Sequence, residues 1–220
     1  MAIAVAAETP VTRWIQPSEL VVDPEFQDLV PWPVWHALNR LGEFSLRDGC
    51  GEALIVWKRG GQFMLLVGYS RWCLEAAARP VLVLQREFAG PRQARRFVIR
   101  HHLAGGALTP ALLSYLRALR CRDCRRRPGD GGGSARLQPS FVTLRSADEL
   151  AELYRVRRRA IDRDVAFAAA VDTLAANSSD VVRQLILCRG TALPRKVVMQ
   201  LARRELQEQR RVIRDLLATG

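Results

Sequence analysis

A stretch rich in arginine and glycine divides this chain of 220 residues into two parts. Residues 125–139 read RRRPGDGGGSARLQP. Glycine and proline disfavour both helix and strand, and consecutive arginines repel one another, so no regular element is expected to continue through this stretch. We therefore expect a linker at residues 121–140, with one folded region before it and another after it.

The balance of charge indicates the chemistry of the partner. The net charge is +12 and the sequence pI is about 10.8. Such an excess of cations favours a polyanionic partner, most often nucleic acid, although a merely basic soluble protein is the alternative. Basic charge is densest in residues 121–145, which hold six Lys/Arg against two Asp/Glu.

The cellular compartment is predicted from cysteines and apolar runs. Five cysteines, an odd number, indicate a reducing compartment rather than a disulfide framework. No apolar run approaches the roughly 20 residues that span a bilayer. Residues 1–12 lack the basic start of a signal peptide, so we expect them to form a flexible tail. These features predict a cytoplasmic protein without membrane contact.

The first region has the pattern of a mixed α/β domain. Residues 53–58 (ALIVWK) and 63–67 (FMLLV) are apolar strands separated by Arg59, Gly60 and Gly61, which predicts a β-hairpin. Residues 81–87 (VLVLQRE) form a third predicted strand. An extended edge segment is predicted at residues 13–23. Four helices are predicted at residues 33–41, 70–78, 91–102 and 109–119.

Residues 146–167, SADELAELYRVRRRAIDRDVAF, predict two short helices around a tight turn. Ser146 and Glu149 have the spacing of a capping box, which starts a helix at Ser146. Tyr154 and Arg155 lie where the chain turns, and Ile161 faces inward from the second helix. The outer face of that helix carries charged residues: Arg157, Arg158, Arg159, Asp162 and Arg163.

This layout is typical of a helix-turn-helix, whose second helix enters the DNA major groove. The alternative is an ordinary helical hairpin with a solvated basic face. Arg157 stands where a capping residue is usual, which favours phosphate binding at a cost in helix stability of ~1 kcal/mol. Arg158 and Asp162 are four residues apart and are expected to pair, which would hold part of the charge away from DNA.

The C-terminal part is expected to be helical at residues 180–188 and again in one last helix at residues 194–217. The apolar stripe of that helix is interrupted by arginines. It either pairs two copies of the chain or packs back on its own domain.

The order of these elements resembles the ParB/sulfiredoxin superfamily, in particular its plasmid- and phage-type ParB-like branch. Residues 53–72 are similar to the PLVVW and LVDGHNRY boxes of that branch, with matches at Gly68, Arg71 and Trp72. Residues 86–110 are similar to its REFADRDEARRWIIRNQLGRRNLTP box, and residues 146–172 to its helix-turn-helix segment. The likeness covers about residues 14–187.

The resemblance implies an α+β chain with a ParB/sulfiredoxin-like N-terminal domain at residues 13–120 and an all-α helix-turn-helix domain at residues 141–190. Residues 191–220 would supply a helix for oligomerisation. Proteins of this kind bind DNA and act in partition of chromosomes and plasmids or in transcription. The family also implies a homodimer, a partition ATPase as a partner, and a location on the nucleoid or a plasmid.

A nucleotide site is the second implication of the resemblance. In the family the Gly-x-x-Arg box of the N-terminal domain wraps a triphosphate, so Gly68, Ser70, Arg71 and Trp72 are the candidate ligands of CTP with Mg²⁺. One departure argues against full nucleotide activity. The second box has His101-His102 and Gly105-Gly106 in place of Asn-Gln and two arginines. Sulfiredoxin activity fits worse, because Tyr69 occupies the position of the nucleophilic cysteine of that enzyme.

Two other candidate sites are weaker. Cys121 and Cys124 have the spacing of a zinc half-site, but a second pair of ligands at suitable spacing is missing, so we interpret them as incidental thiols in the linker. His101 and His102 are adjacent on a predicted helix and point about 100° apart, which favours a phosphate contact or plain surface over a catalytic pair.

The sequence therefore predicts a ParB-like protein that binds double-stranded DNA. The candidate DNA contacts are arginines of the linker and of the second helix: Arg125, Arg126, Arg127, Arg157, Arg158, Arg159 and Arg163. Such contacts position the protein and make affinity salt-dependent. The alternatives are a CTP-binding and CTP-hydrolysing clamp, a nuclease, and an adaptor that keeps the fold without DNA binding. We predict no catalytic residue and no metal site.

Overall fold

A computed structural model describes residues 11–29, 53–75, 80–105, 108–125, 146–179, 181–188 and 193–218. The chain divides into two compact units. The described residues up to Val98 belong to the first unit, and those from Ile99 onward belong to the second. The predicted helix at 33–41 and most of the predicted linker lie outside the described residues.

The first unit is built on a mixed sheet. Its described strands are β1 (Val11–Ile15), β2 (Leu20–Val21), β3 (Leu54–Arg59), β4 (Gln62–Val67) and β5 (Val81–Arg86), in the order β1-β5-β3-β4-β2. β3 pairs antiparallel with β4 and parallel with β5. β1 is antiparallel to β5, and β2 is parallel to β4.

The predicted hairpin is present, and its turn explains the two glycines. Arg59 pairs with Gln62, so Gly60 and Gly61 are the turn. Their φ angles are +57° and +86°. Positive φ at both central residues is the geometry that matches the twist of flanking strands, and glycine adopts it without steric cost.

Residues 13–23 were expected to form one extended edge segment, and the structure corrects this. The segment divides into β1 and β2, which lie at opposite ends of the strand order. A short 3₁₀ helix, Pro17–Glu19, separates them. Proline at position 17 cannot donate to a strand ladder, and the carboxylate of Glu19 accepts a 2.7 Å bond from the amide of Gln16.

Alternate residues of the central strands form an apolar core on one face of the sheet. Its buried members are Ile15, Leu20, Leu54, Val56, Phe63, Leu65, Val81 and Val83. Ile55, Trp57, Met64 and Leu66 point the other way and are buried too. Since side chains alternate along a strand, both faces of β3 and β4 are covered. The described residues of this unit include two short helices, α1 (Pro24–Gln27) and α2 (Tyr69–Glu75).

All regular structure described in the second unit is helical. Its helices are α3 (Pro91–Ala104, which begins in the first unit), α4 (Pro110–Arg125), α5 (Ala147–Leu153), α6 (Arg158–Asn177), α7 (Val181–Cys188), α8 (Arg195–Leu201) and α9 (Leu206–Ala218). The mixture of a sheet and these helices agrees with the predicted α+β class. Among the described residues, no helix is both long and apolar enough to cross a bilayer.

Helix α4 starts as predicted and ends later. The hydroxyl of Thr109 accepts a 3.1 Å bond from the amide of Leu112, and it donates to the carbonyl of Leu187. The helix then runs to Arg125, so residues 121–125, which we assigned to the linker, are helical. The second unit accordingly begins well before the linker, at Ile99.

The prediction of a single last helix at residues 194–217 is wrong, because the helix is interrupted and two helices, α8 and α9, are formed instead. The amides of Arg203 and Arg204 turn back to the carbonyls of Gln200 and Leu201 at 3.1 and 3.0 Å. The side chain of Gln209, which is buried, then donates to the carbonyls of Ala202 and Arg204 at 3.2 and 2.7 Å. A side chain from α9 therefore satisfies the carbonyls at the break, with neither glycine nor proline involved.

Candidate nucleic-acid interface

Helices α5 and α6 are joined by a tight turn that local sequence determines. The hydroxyl of Ser146 accepts a 3.1 Å bond from the amide of Glu149 and caps α5. The amide of Val156 donates to the carbonyl of Ala151 at 2.9 Å and closes the turn. Arg155 has a φ of +52°, a left-handed conformation that is uncommon for a residue with a side chain.

Five buried residues hold the two helices together. They are Ala147, Leu150 and Ala151 of α5, Ile161 of α6, and Cys121 of α4. The small side chains of Ala147 and Ala151 allow close approach of the helices. Cys121 is fully buried in this cluster, so its interpretation as an incidental linker thiol is wrong. The side chain of Cys124 lies outside the described residues.

The N-terminal end of α6 exposes arginines. Arg157, Arg158, Arg159 and Arg163 are all exposed there. Arg157 occupies the capping position without a side-chain cap bond, as the sequence predicted. The first turn of α6 contains no acidic residue, so its positive helix end adds to the charge of the side chains.

Arg158 differs from its neighbours because two carboxylates bind it. Its Nη1 lies 2.7 Å from Oδ2 of Asp148 on α5, and its Nε lies 3.3 Å from Oδ1 of Asp162. The second contact was predicted from the spacing of the two residues. The first connects helices on either side of the turn, and local spacing gave no sign of it.

Behind the exposed face, a buried carboxylate ties α6 to two other helices. Oδ2 of Asp164 lies 2.7 Å from Nη2 of Arg117 on α4, and Oδ1 lies 2.9 Å from Nη2 of Arg195 on α8. Arg195 also donates to the hydroxyl of Ser114 at 2.8 Å. Sequence reasoning missed this role; the available signal was an aspartate between the core residues Ile161 and Phe167.

A second polar cluster lies further along α6. Asp172 accepts a 2.7 Å bond from the hydroxyl of Tyr115 and pairs with Arg122 at 2.5 Å. Arg183 of α7 lies 4.0 Å from the same carboxylate. Burial, together with the bond to Asp172, raises the pKa of Tyr115 well above its usual value. Three helices are therefore joined to α6 by charge as well as by apolar packing.

The predicted nucleotide box lies at the end of β4 and the start of α2. Gly68 has a φ of +105°, and a Cβ there would lie 2.4 Å from Cδ2 of Leu54, so any other residue would be strained at this position. The amide of Trp72 donates to the carbonyl of Gly68 at 2.9 Å. The box therefore begins with a close approach of backbone to the sheet.

The side chains of the box are only partly suited to a nucleotide. The hydroxyl of Tyr69 donates a 2.6 Å bond to the carbonyl of Leu65, and burial and then the nearby Asp23 and Asp28 raise its pKa. Tyr69 and Trp72 both pack against the core of the sheet. Ser70 and Arg71, which are half-buried, remain as the side chains that fit a triphosphate.

The remaining candidate residues are distributed elsewhere. The rings of His101 and His102 meet edge to face at 5.6 Å, and burial, then the neighbouring His101, lowers the pKa of His102 to about 4. His102 is therefore neutral at pH 7 and adds no charge for phosphate. Arg125 ends α4, and Arg126 and Arg127 lie outside the described residues. Among the described residues, His, Cys, Asp and Glu form no group of three suited to a metal.

No family model and no curated protein matches the sequence. Solved structures do match. The structure of the pNOB8-like ParB N-domain aligns over 88% of this chain and 74% of that chain, with 18% identity and a TM-score of 0.51. The C2221 form of the same domain covers 88% and 79%, with 16% identity and a TM-score of 0.50. The chain has a ParB-like fold.

This ParB-like fold confirms the predicted resemblance at the level of architecture. A C-terminally truncated ParB from Caulobacter crescentus, complexed to the centromeric parS site, also aligns, over 92% of this chain and 99% of that chain. Its identity is 12% and its TM-score 0.45, a likeness too weak to support a conclusion. The interface must therefore be judged on the residues of this chain.

Proposed function

We propose that this chain is a ParB-like DNA-binding protein in which α5 and α6 form a helix-turn-helix that contacts double-stranded DNA. The single observation that carries the proposal is the group of exposed arginines at the N-terminal end of α6, directly after the turn. In a helix-turn-helix this end of the second helix meets the major groove. A role in partition of chromosomes or plasmids, or in transcription, follows from this proposal.

The packing around the turn supports the proposal. An exposed basic helix binds phosphates usefully only if its orientation is fixed. The cluster around Cys121 and Ile161 fixes α6 against α4 and α5, and the Asp164 pairs fix it against α8. Arg120 adds a 2.8 Å bond to the hydroxyl of Tyr154 at the turn itself. The linker arginines Arg125, Arg126 and Arg127 would add phosphate contacts.

The test is a DNA mobility shift across a salt series. The variant Arg158→Ala/Arg159→Ala/Arg163→Ala removes three charges from α6. The matched control Arg203→Ala/Arg211→Ala/Arg214→Ala removes three exposed charges from the C-terminal part of the chain. We expect wild type and control to bind tightly at low salt with a steep salt dependence, and the α6 variant to lose binding. Equal losses in the two variants would contradict the assignment to α6.

A second candidate function is binding of CTP with Mg²⁺ at the box of Gly68, Ser70, Arg71 and Trp72. The turn at Gly68 favours it, because the half-buried Ser70 and Arg71 follow directly at the start of α2. The hydroxyl of Tyr69 donates to the carbonyl of Leu65, and this internal bond argues for weak binding of the nucleotide. Labelled CTP that is retained by wild type and lost in Arg71→Ala would support it; no retention in the presence of DNA would reject it.

The assembly expected for such a protein is a homodimer, with a partition ATPase as a further partner. Readers of the helix-turn-helix type usually bind two half-sites as two-fold dimers. The exposed Leu206 and Leu217 of α9 supply apolar surface for self-association. Analytical ultracentrifugation of wild type and of Leu206→Ser/Leu217→Ser tests the dimer, and a single monomer species for wild type would reject it.

A further inference from the structure

Arg158 is the first residue of α6. Among the four exposed arginines at this end of the helix, it is the one whose described side-chain contacts are made to carboxylates. Asp148 approaches from α5, and Asp162 approaches from one turn further along α6. All three side chains are exposed, at 43% for Arg158, 70% for Asp148 and 49% for Asp162. The guanidinium is therefore held in one direction on the outer face.

These ion pairs are not needed to hold the helices together. Ion pairs between exposed side chains contribute little to stability, because solvent screens them. The buried cluster of Cys121, Leu150 and Ile161 already joins the same helices. Two carboxylates on one guanidinium do, however, restrict a side chain that otherwise has many rotamers, which lowers the entropy cost of using its remaining donors.

The remaining donors of Arg158 match the edge of a guanine. A guanidinium has five N–H groups in a fixed plane. Asp162 accepts from Nε and Asp148 from Nη1. This leaves both N–H groups of Nη2 and the second N–H of Nη1, so donors remain on two neighbouring nitrogens. Guanine presents two acceptors, O6 and N7, to the donors of an arginine in the major groove.

The same arrangement makes Arg158 a poor ligand for phosphate. Two carboxylates offset the charge of one guanidinium, so Arg158 has no surplus positive charge with which to attract a phosphate. Arg159 and Arg163 differ in this respect. The Nε of Arg163 donates to the backbone carbonyl of Arg159 at 3.2 Å, and neither side chain is paired with a carboxylate among the described residues. Those two are therefore suited to phosphates.

We propose that Arg158, oriented by Asp148 and Asp162, reads a guanine in the major groove, whereas Arg157, Arg159 and Arg163 bind phosphates. This inference rests on the proposed DNA-binding function. It assigns sequence specificity to Arg158, and it makes the two aspartates positioning residues.

The first experiment selects binding sites for wild type from a pool of random duplexes. The selected duplex is then compared with one in which an enriched G·C pair is changed to A·T. We expect Arg158→Ala to lose discrimination at one such guanine, by roughly 5- to 150-fold, with other positions unchanged. Arg159→Ala is the control, and it should weaken binding to both duplexes by the same factor.

The second experiment uses Asp148→Asn and Asp162→Asn, which keep the shape of the side chains. We expect both to lower discrimination at the same guanine, while affinity for the A·T duplex rises because negative charge is removed. If affinity for both duplexes rises equally and the preference is kept, the aspartates only neutralise charge and the inference is overturned.

Failure of the proposed function and failure of this inference give different results. Wild type that binds no duplex at low salt rejects the proposed function and the inference with it. Wild type that selects a sequence and keeps the whole preference in Arg158→Ala rejects the inference alone. Because all three side chains are exposed, the variants are expected to fold, and their thermal unfolding temperatures verify this.

Discussion

Arg195 of α8 reaches Asp164 of α6 at 2.9 Å, although the aspartate is only 1% exposed. The same guanidinium lies over the ring of Phe167 at 4.8 Å and donates to the carbonyl of Arg163 at 3.3 Å. A helix that is distant in sequence therefore fixes α6 beside one of its exposed arginines. The proposed interface depends on this pair as well as on the turn.

Replacement of Asp164 should be costly. In Asp164→Ala, Arg117 loses its carboxylate while it remains mostly buried, and Arg195 loses one of its partners. We expect the free energy of unfolding to fall by about 3 kcal/mol in urea titrations. Asp162→Ala, on the exposed side of the same helix, is the control and should change it by less than about 1 kcal/mol. A similar change in the free energy of unfolding for the two variants would show that the buried ion pairs contribute no more to stability than the exposed one.

Gly68→Ala should destabilise the first unit through two separable effects. The left-handed φ costs about 1 kcal/mol or more for a residue with a side chain, and the new Cβ meets Leu54. Gly61→Ala has a positive φ with open space around it, so it reports the backbone effect alone. We expect thermal unfolding to show a larger loss for Gly68→Ala than for Gly61→Ala. Equal losses would mean that Leu54 moves aside freely.

Gln209→Ala should loosen the break between α8 and α9. Gln209 satisfies the carbonyls of Ala202 and Arg204, and its Oε1 accepts a 2.8 Å bond from Asn177. Buried groups that lose their partners cost roughly 1–3 kcal/mol. Hydrogen exchange should therefore become faster for the amides of α9. Gln207→Ala, on the exposed side of α9, should leave exchange unchanged, and faster exchange there too would point to general fraying.

Stability should fall as the solution is acidified, through His102. Burial lowers its pKa from 6.5 to about 4 in the folded state. Between those values the unfolded chain binds more protons, so stability is complete above pH 6.5 and declines as pH falls towards 4. The full loss is about 3 kcal/mol. Urea titrations from pH 7 to 4 measure it. His102→Gln should flatten this part of the profile, whereas His101→Gln should leave most of it, and an unchanged slope in His102→Gln would assign the effect to other groups.

The parts of the fold that could be predicted from sequence are those with local causes. Gly60 and Gly61 fix a hairpin because few other residues adopt positive φ, and Ser146 and Thr109 cap helices through bonds three residues away. The exposure of the arginines at the start of α6 could be predicted from their charge and from the apolar position of Ile161. Each of these signals lies within one turn of the residue that it determines.

The parts that could not be predicted depend on contacts distant in sequence. Cys121 looked like a linker residue because its neighbours are arginines, yet it is buried against α5 and α6. The interruption before α9 needs no glycine or proline, because Gln209 donates to the carbonyls that are left without helical partners there. The contact of Asp148 with Arg158 crosses the turn and follows no helical spacing. In each case the deciding partner is on another helix.

The division of residues 11–21 between opposite ends of the sheet has a consequence for synthesis on the ribosome. Val11 pairs with Gln85 and Leu20 pairs with Phe63, so both early strands are made long before their partners. At 5–20 residues per second, the first must wait roughly 4 to 15 seconds. During that interval Trp14 and its neighbours are available to chaperones, so the first of the described strands to be synthesised is also paired late.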